Sequence, residues 1–99
     1  MNINKCKEDG ALTIALVGRL DTVTAPELEK ALQNDLEGVS SLTFDLKDLE
    51  YISSAGLRVL LSAQKAMTRN AGTMKVKNAN EIVMEVFEVT GFSDILTIE

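Results

Sequence analysis

Histidine and tryptophan are both missing from this 99-residue sequence, and cysteine, proline and tyrosine occur once each. Without histidine the commonest general base and the commonest transition-metal ligand disappear together. With Cys6 as the single thiol, a zinc site would have to be assembled almost wholly from carboxylates, a poor donor set for that metal. No metal and no cofactor is therefore expected. A lone cysteine cannot close an internal disulfide and suits a reducing compartment. Long apolar runs are lacking as well, with nothing near the ~18 residues of a membrane helix. The polar start, Met1 to Gly10, has no signal-peptide core. The expectation is a cytoplasmic protein with no membrane insertion.

Positive charge is also scarce. Ten basic residues face fifteen acidic ones, for a net charge of −5, and no window gathers the lysines and arginines. Phosphate neutralisation requires such gathering, so nucleic acid is not an expected partner. One tyrosine and three phenylalanines offer little for stacking single strands. Six glycines are too sparse for a phosphate-cradling loop. What is present is ordinary for a globular domain: 45% hydrophobic and 25% charged residues. A chain of this length makes one domain, residues 1–99, with one core.

The hydrophobic pattern divides into alternating elements. Asn2 to Lys7 reads as a strand, and Asp9-Gly10 is a hairpin turn because both residues tolerate positive φ. Ala11 to Leu20 follows as a second strand, with Leu12, Ile14 and Leu16 on one face. Thr24-Ala-Pro-Glu27 predicts a helix start with a Thr24–Glu27 capping box and a proline tolerated in the first turn. Leu28, Leu32 and Leu36 extend its stripe to about Gly38. Ser41 to Leu46 alternates as the next strand, and Leu49, Tyr51 and Ile52 lead through a loop to Ser53-Ser-Ala-Gly56. A second helix carries Leu57, Leu60, Leu61 and Met67 and ends near Asn70-Ala-Gly72. Thr73 to Lys77 is a short strand; Asn80 caps a third helix, and Gly91 is its C′ residue. Ile95, Leu96 and Ile98 supply a terminal strand or packing. The order β-β-α-β-α-β-α-(β) demands an opening antiparallel hairpin followed by right-handed parallel units. The fold class is α/β, with a mixed sheet covered by helices.

The informative stretch is Tyr51-Ile-Ser-Ser-Ala-Gly-Leu-Arg58. Two serines and two small residues lie between a buried strand and an apolar helix. A helix N-terminus presents free amides and the positive end of the dipole, which suits an anion. A phosphate on serine here would add roughly −1.5 to −2 charges. The commoner role of such a serine is simply to cap the helix. An acyl-transfer reading fails: there is no histidine to activate a serine, and the glycine of a nucleophile elbow is missing. No catalytic residue is assigned.

Gly18-Arg-Leu-Asp21, Thr24-Ala-Pro26, Tyr51 to Leu61 and Phe87-x-x-x-Gly-Phe92 together resemble the STAS domain of anti-sigma factor antagonists, over essentially the whole chain. The resemblance implies a mixed sheet with helices packed largely on one side, and the stand-alone bacterial type. It also implies a partner-switching cycle. The unmodified antagonist binds an anti-sigma factor that is a serine kinase; phosphorylation releases it, and a phosphatase restores it. By the same resemblance the acceptor is Ser54, two residues before Gly56, with Ser53 as second choice. Ser53 stands where many members have aspartate. Asp21, with Thr22, matches the acidic residue in the loop beside the acceptor, and Ser53, Ser54, Gly56 and Arg58 complete the implied partner surface. Without the resemblance Asp21 reads as a turn residue accepting local backbone bonds, and Arg58 as a solvated arginine. Two other readings keep the fold: a scaffold subunit such as the STAS component of a lipid-transport system, and a small-ligand or nucleotide-binding module.

Overall fold

The computed structural model describes residues 1–33 and 35–99. Its elements are β1 (Asn2–Glu8), β2 (Ala11–Leu20), α1 (Ala25–Gln33), β3 (Ser41–Ile52), α2 (Ser54–Arg69), β4 (Thr73–Lys77), α3 (Glu81–Thr90), a 3-10 turn (Phe92–Asp94) and β5 (Thr97–Ile98). The strands form one sheet in the order β1-β2-β3-β4-β5. β1 pairs antiparallel with β2, and the other pairs are parallel. The hairpin turn has Asp9 at φ 48° and Gly10 at φ 85°, the positive-φ pair that the Asp-Gly dipeptide supplies.

That strand order decides where the helices go. From β2 to β5 each crossover steps in the same direction across the sheet, and a right-handed connection then puts every helix on the same face. One core results, joining Leu12, Ile14, Leu16, Phe44, Leu46 and Val76 of the strands to Leu28 and Leu32 of α1, Leu57, Leu60 and Met67 of α2, and Val83 and Phe87 of α3. The mixed sheet with helices on one side is the architecture expected from the sequence. Among the described residues the strand order does not reverse, unlike that of doubly wound sheets.

Three local details differ from expectation. β3 is twelve residues long instead of six. Its pairing with β2 shifts register twice, between Ala15 and Val17 and between Gly18 and Arg19, with the extra residues on β3 each time. Each shift turns an alternation of two into a spacing of three, so Leu46, Leu49 and Ile52 are all buried within a continuous strand. α1 spans Ala25–Gln33, and Leu36 packs against the core from a turn outside it. The start of α1 is capped differently, as the site geometry shows. The third helix matches in full: Asn80 Oδ1 accepts from the Val83 amide at 2.8 Å, and Gly91 closes it at φ 80°.

Candidate functional site

The last rung between β2 and β3 pairs Leu20 with Ile52. One step further, the Ser53 amide donates to the Leu20 carbonyl at 2.9 Å. The β2–α1 loop and the first turn of α2 therefore leave the sheet side by side, and Asp21 and Ser53 follow immediately on the paired residues. α2 is pressed against this end of the sheet. A Cβ on Gly56 would lie 2.6 Å from Leu20 Cγ and 2.9 Å from Ile52 Cγ1, closer than side-chain carbons tolerate. Gly56 is buried; it faces inward and lets the helix approach the strands, whereas the resemblance had put it on the partner surface.

The two serines have different environments. Ser53 has extended backbone, φ −99° and ψ 176°, and is the N-cap of α2. Its Oγ accepts from the Gly56 amide at 3.5 Å and its carbonyl from the Leu57 amide at 3.0 Å. This is the ordinary capping role. Ser54 is the first residue of the helix and is exposed, and among the described residues its hydroxyl has no hydrogen-bond partner. The first turn of this sixteen-residue helix holds no acidic residue, so the partial positive charge of its free amides is not neutralised from within the helix. The result is an accessible, uncommitted hydroxyl beside an anion-favouring helix end.

The adjacent loop is organised by Asp21. Its Oδ1 accepts from the amides of Val23 at 3.0 Å and Thr24 at 3.1 Å; the single Thr24 hydroxyl proton is shared between this oxygen at 3.2 Å and the nearer Arg19 carbonyl at 2.7 Å. In return Thr24 Oγ1 accepts from the Asp21 amide at 2.9 Å. The reciprocal pair is thus Asp21–Thr24, one turn earlier than the Thr24–Glu27 box expected from the sequence; the Ala25 amide already donates to the Asp21 carbonyl at 2.8 Å. Aspartate competes well for this position because a charged oxygen makes the stronger hydrogen bonds. The Thr24 amide is the largest influence holding the Asp21 carboxyl below its ordinary value of 3.8, against some desolvation and with help from Val23, the Thr24 hydroxyl and Arg19. The turn reading of Asp21 is thereby correct in geometry, and its charge remains in place beside the serines.

Around this pair the surface is mixed in character. Arg19 lies 3.8 Å from Asp21 Oδ2 through its Nε and stacks its guanidinium 4.6 Å from the centre of the Tyr51 ring, a favourable cation–π arrangement. Val23, at the tip of the loop, is 81% exposed. Between α1 and α2 a groove of about 430 Å³ is lined by Thr22, Pro26, Glu29, Ala55, Arg58 and Ser62 among others. Thr22 and Arg58 are both exposed. Of the residues singled out from sequence, Asp21, Thr22, Ser53, Ser54 and Arg58 gather at this end of the molecule, and Gly56 lies beneath it. Val23 and the Arg19–Tyr51 stack were not anticipated. The signal for Val23 was an apolar residue stranded in a polar turn; nothing local pairs residues 19 and 51, which only the bulged register brings together.

Chemically the site offers hydroxyls, the carboxylates of Asp21 and Glu29 and the guanidiniums of Arg19 and Arg58. Among the described residues no three of Cys, Asp and Glu cluster as metal ligands, and no helix is long and apolar enough to cross a membrane.

Comparison with known proteins agrees with this fold. The family model described as the STAS domain matches residues 2–99. The anti-sigma-B factor antagonist of Bacillus subtilis is 29% identical over 98 residues, covering 99% of this chain and 90% of that protein. BtrV of Bordetella bronchiseptica, named provisionally as an anti-sigma factor antagonist, is 35% identical over 99 residues, covering 99% and 85%. Among solved structures, the anti-sigma factor antagonist SpoIIAA in its unphosphorylated form superposes with a TM-score of 0.87 at 17% identity, over 99% of this chain and 88% of that one. The Bacillus SpoIIAA has also been solved in a phosphorylated form, at a TM-score of 0.78 and 16% identity, covering 99% and 91%.

Proposed function

Because the chain belongs to the STAS domain family, we propose that it is a cytoplasmic anti-sigma factor antagonist whose binding is switched by phosphorylation of Ser54. Its partner in this reading is an anti-sigma factor that is also a serine kinase, and a phosphatase resets the cycle. The observation that carries the proposal is the division of labour between the serines: Ser53 caps α2, leaving Ser54 exposed and uncommitted. Modification of Ser54 then costs the fold little. A phosphate there gains the free amides of the helix end, while it presents up to two negative charges and three acceptor oxygens to whatever docks. Asp21, on the neighbouring loop, has a carboxyl held below its ordinary value, first by the Thr24 amide, and lies 3.8 Å from Arg19 Nε, so the phosphate is added to a surface where both signs of charge are already present. Thr22, Val23 and Arg58 are the neighbouring exposed side chains a partner would touch. With no histidine in the sequence, the serines are acceptors of a group transferred by another protein and are not nucleophiles of a hydrolase.

Incubation with the cognate anti-sigma factor kinase and Mg-ATP, followed by tandem mass spectrometry, tests this directly. The expected result is one phosphate on Ser54 and none in Ser54→Ala. A chain that leaves the kinase without phosphate on Ser54 or Ser53 defeats the switching mechanism.

A further inference from the structure

α3 is apolar on more of its circumference than the core uses. Val83 and Phe87 are fully buried. Ile82, Val86 and Val89 form a second stripe at i, i+4 and i+7, on the same helix flank. Ile82 is 58% and Val89 80% exposed, and Ile95, after the 3-10 turn that packs on α3, is 50% exposed. Three of the four large exposed hydrophobic side chains among the described residues therefore belong to this one region. Val86, between the other two, is half-buried against the core, while Ile82 and Val89 on either side of it stay largely open to solvent.

The charge in the same region is one-sided. Residues 81–94 contain Glu81, Glu85, Glu88 and Asp94 and no lysine or arginine, while the rest of the chain balances eleven acids against ten bases. Most of the net charge of −5 is thus concentrated on α3 and the turn after it. Among the described residues none of these four carboxylates is in an ion pair. Lipid headgroups of negative charge, nucleic acid and a second copy of this face would all be repelled.

We infer that the outer flank of α3 is a docking surface for a partner protein that presents an apolar face flanked by lysine and arginine. α3 follows the C-terminal end of β4 and returns along the sheet, so this surface runs from Ile82, at the end of the molecule that holds the first turn of α2, to Val89 at the opposite end.

Two synthetic probes test the inference: an 18-residue amphipathic helical peptide with a leucine face flanked by lysines, and its twin with glutamates replacing the lysines. Each is titrated into the isotopically labelled full chain and followed by amide chemical shifts. The lysine peptide is expected to move amides of residues 82–95, to weaken at least tenfold in Ile82→Ser/Val89→Ser, and to lose to the glutamate peptide in Glu85→Lys/Glu88→Lys. All four substitutions are at exposed positions, and circular dichroism confirms that the variants remain folded. Shifts centred elsewhere, equal responses to the two peptides, or indifference to Ile82→Ser/Val89→Ser would overturn it.

Discussion

The Ser53 amide donates to the Leu20 carbonyl at 2.9 Å, immediately beyond the Leu20–Ile52 rung. That single bond ties the two loops of the site together, placing Asp21 beside the capped mouth of α2. The consequences concern which residues hold the site and which are read by a partner.

Ser53 is a structural residue. Replacing a capping serine by alanine costs about 0.5–2 kcal/mol, and the long 3.5 Å contact to Gly56 argues for the lower end. Ser53→Ala is expected to lower the Tm by about 2–4 °C in calorimetry and to leave Ser54 available to the kinase.

Gly56→Ala should destabilise, although alanine is intrinsically the better helix former by about 1 kcal/mol. The new methyl would lie 2.6 Å from Leu20 Cγ and 2.9 Å from Ile52 Cγ1, and overpacking of this kind costs about 1–3 kcal/mol. Urea denaturation is expected to show a net loss of up to about 2 kcal/mol. A gain in stability would contradict the close-packing role.

Asp21 gives the site a pH dependence of known sign. Its carboxyl is held below 3.8, first by the Thr24 amide, so the folded state binds its proton less readily than the unfolded one. The stabilisation is complete above the unfolded value, begins to fade below it, and is lost as pH falls through the lowered folded value. Between about pH 5 and pH 3 the Tm of Asp21→Asn is expected to fall less than that of the parent chain.

Much of this was legible in the sequence where interactions are local. The Asp9-Gly10 hairpin, the Asn80 cap and the Gly91 terminus each depend on residues within a few positions of one another. The strand–helix alternation implied parallel units of one hand, but the one-sided packing depends on the strand order, which only the family resemblance implied. Long-range effects were not legible. The second half of β3 reads as loop because the two bulges that break its alternation come from its pairing with β2. The cap of α1 moved to Asp21–Thr24 because Asp21 starts the helical turn, its carbonyl accepting from Ala25. The burial of Gly56 depends on Leu20, thirty-six positions earlier, and no local pattern announces it.

Arg58 is exposed, without an ion pair among the described residues, and borders the groove that also holds Thr22. Arg58→Ala is expected to change stability by no more than about 0.5 kcal/mol. The same variant should weaken binding to the anti-sigma factor about fivefold or more in calorimetric titration, which is roughly the 1 kcal/mol of a charged contact.

The central claim is that charge on Ser54 controls binding without unfolding the domain. The most direct measurement is a calorimetric titration of the anti-sigma factor with chain carrying phosphoserine incorporated at position 54, beside unmodified chain. A phosphate adds roughly two negative charges and three acceptor oxygens to the docking face, and a loss of 1.4 kcal/mol is already tenfold in affinity. The phosphorylated chain is therefore expected to keep its circular dichroism spectrum and to bind at least tenfold more weakly. Equal affinity of the two forms would contradict the account.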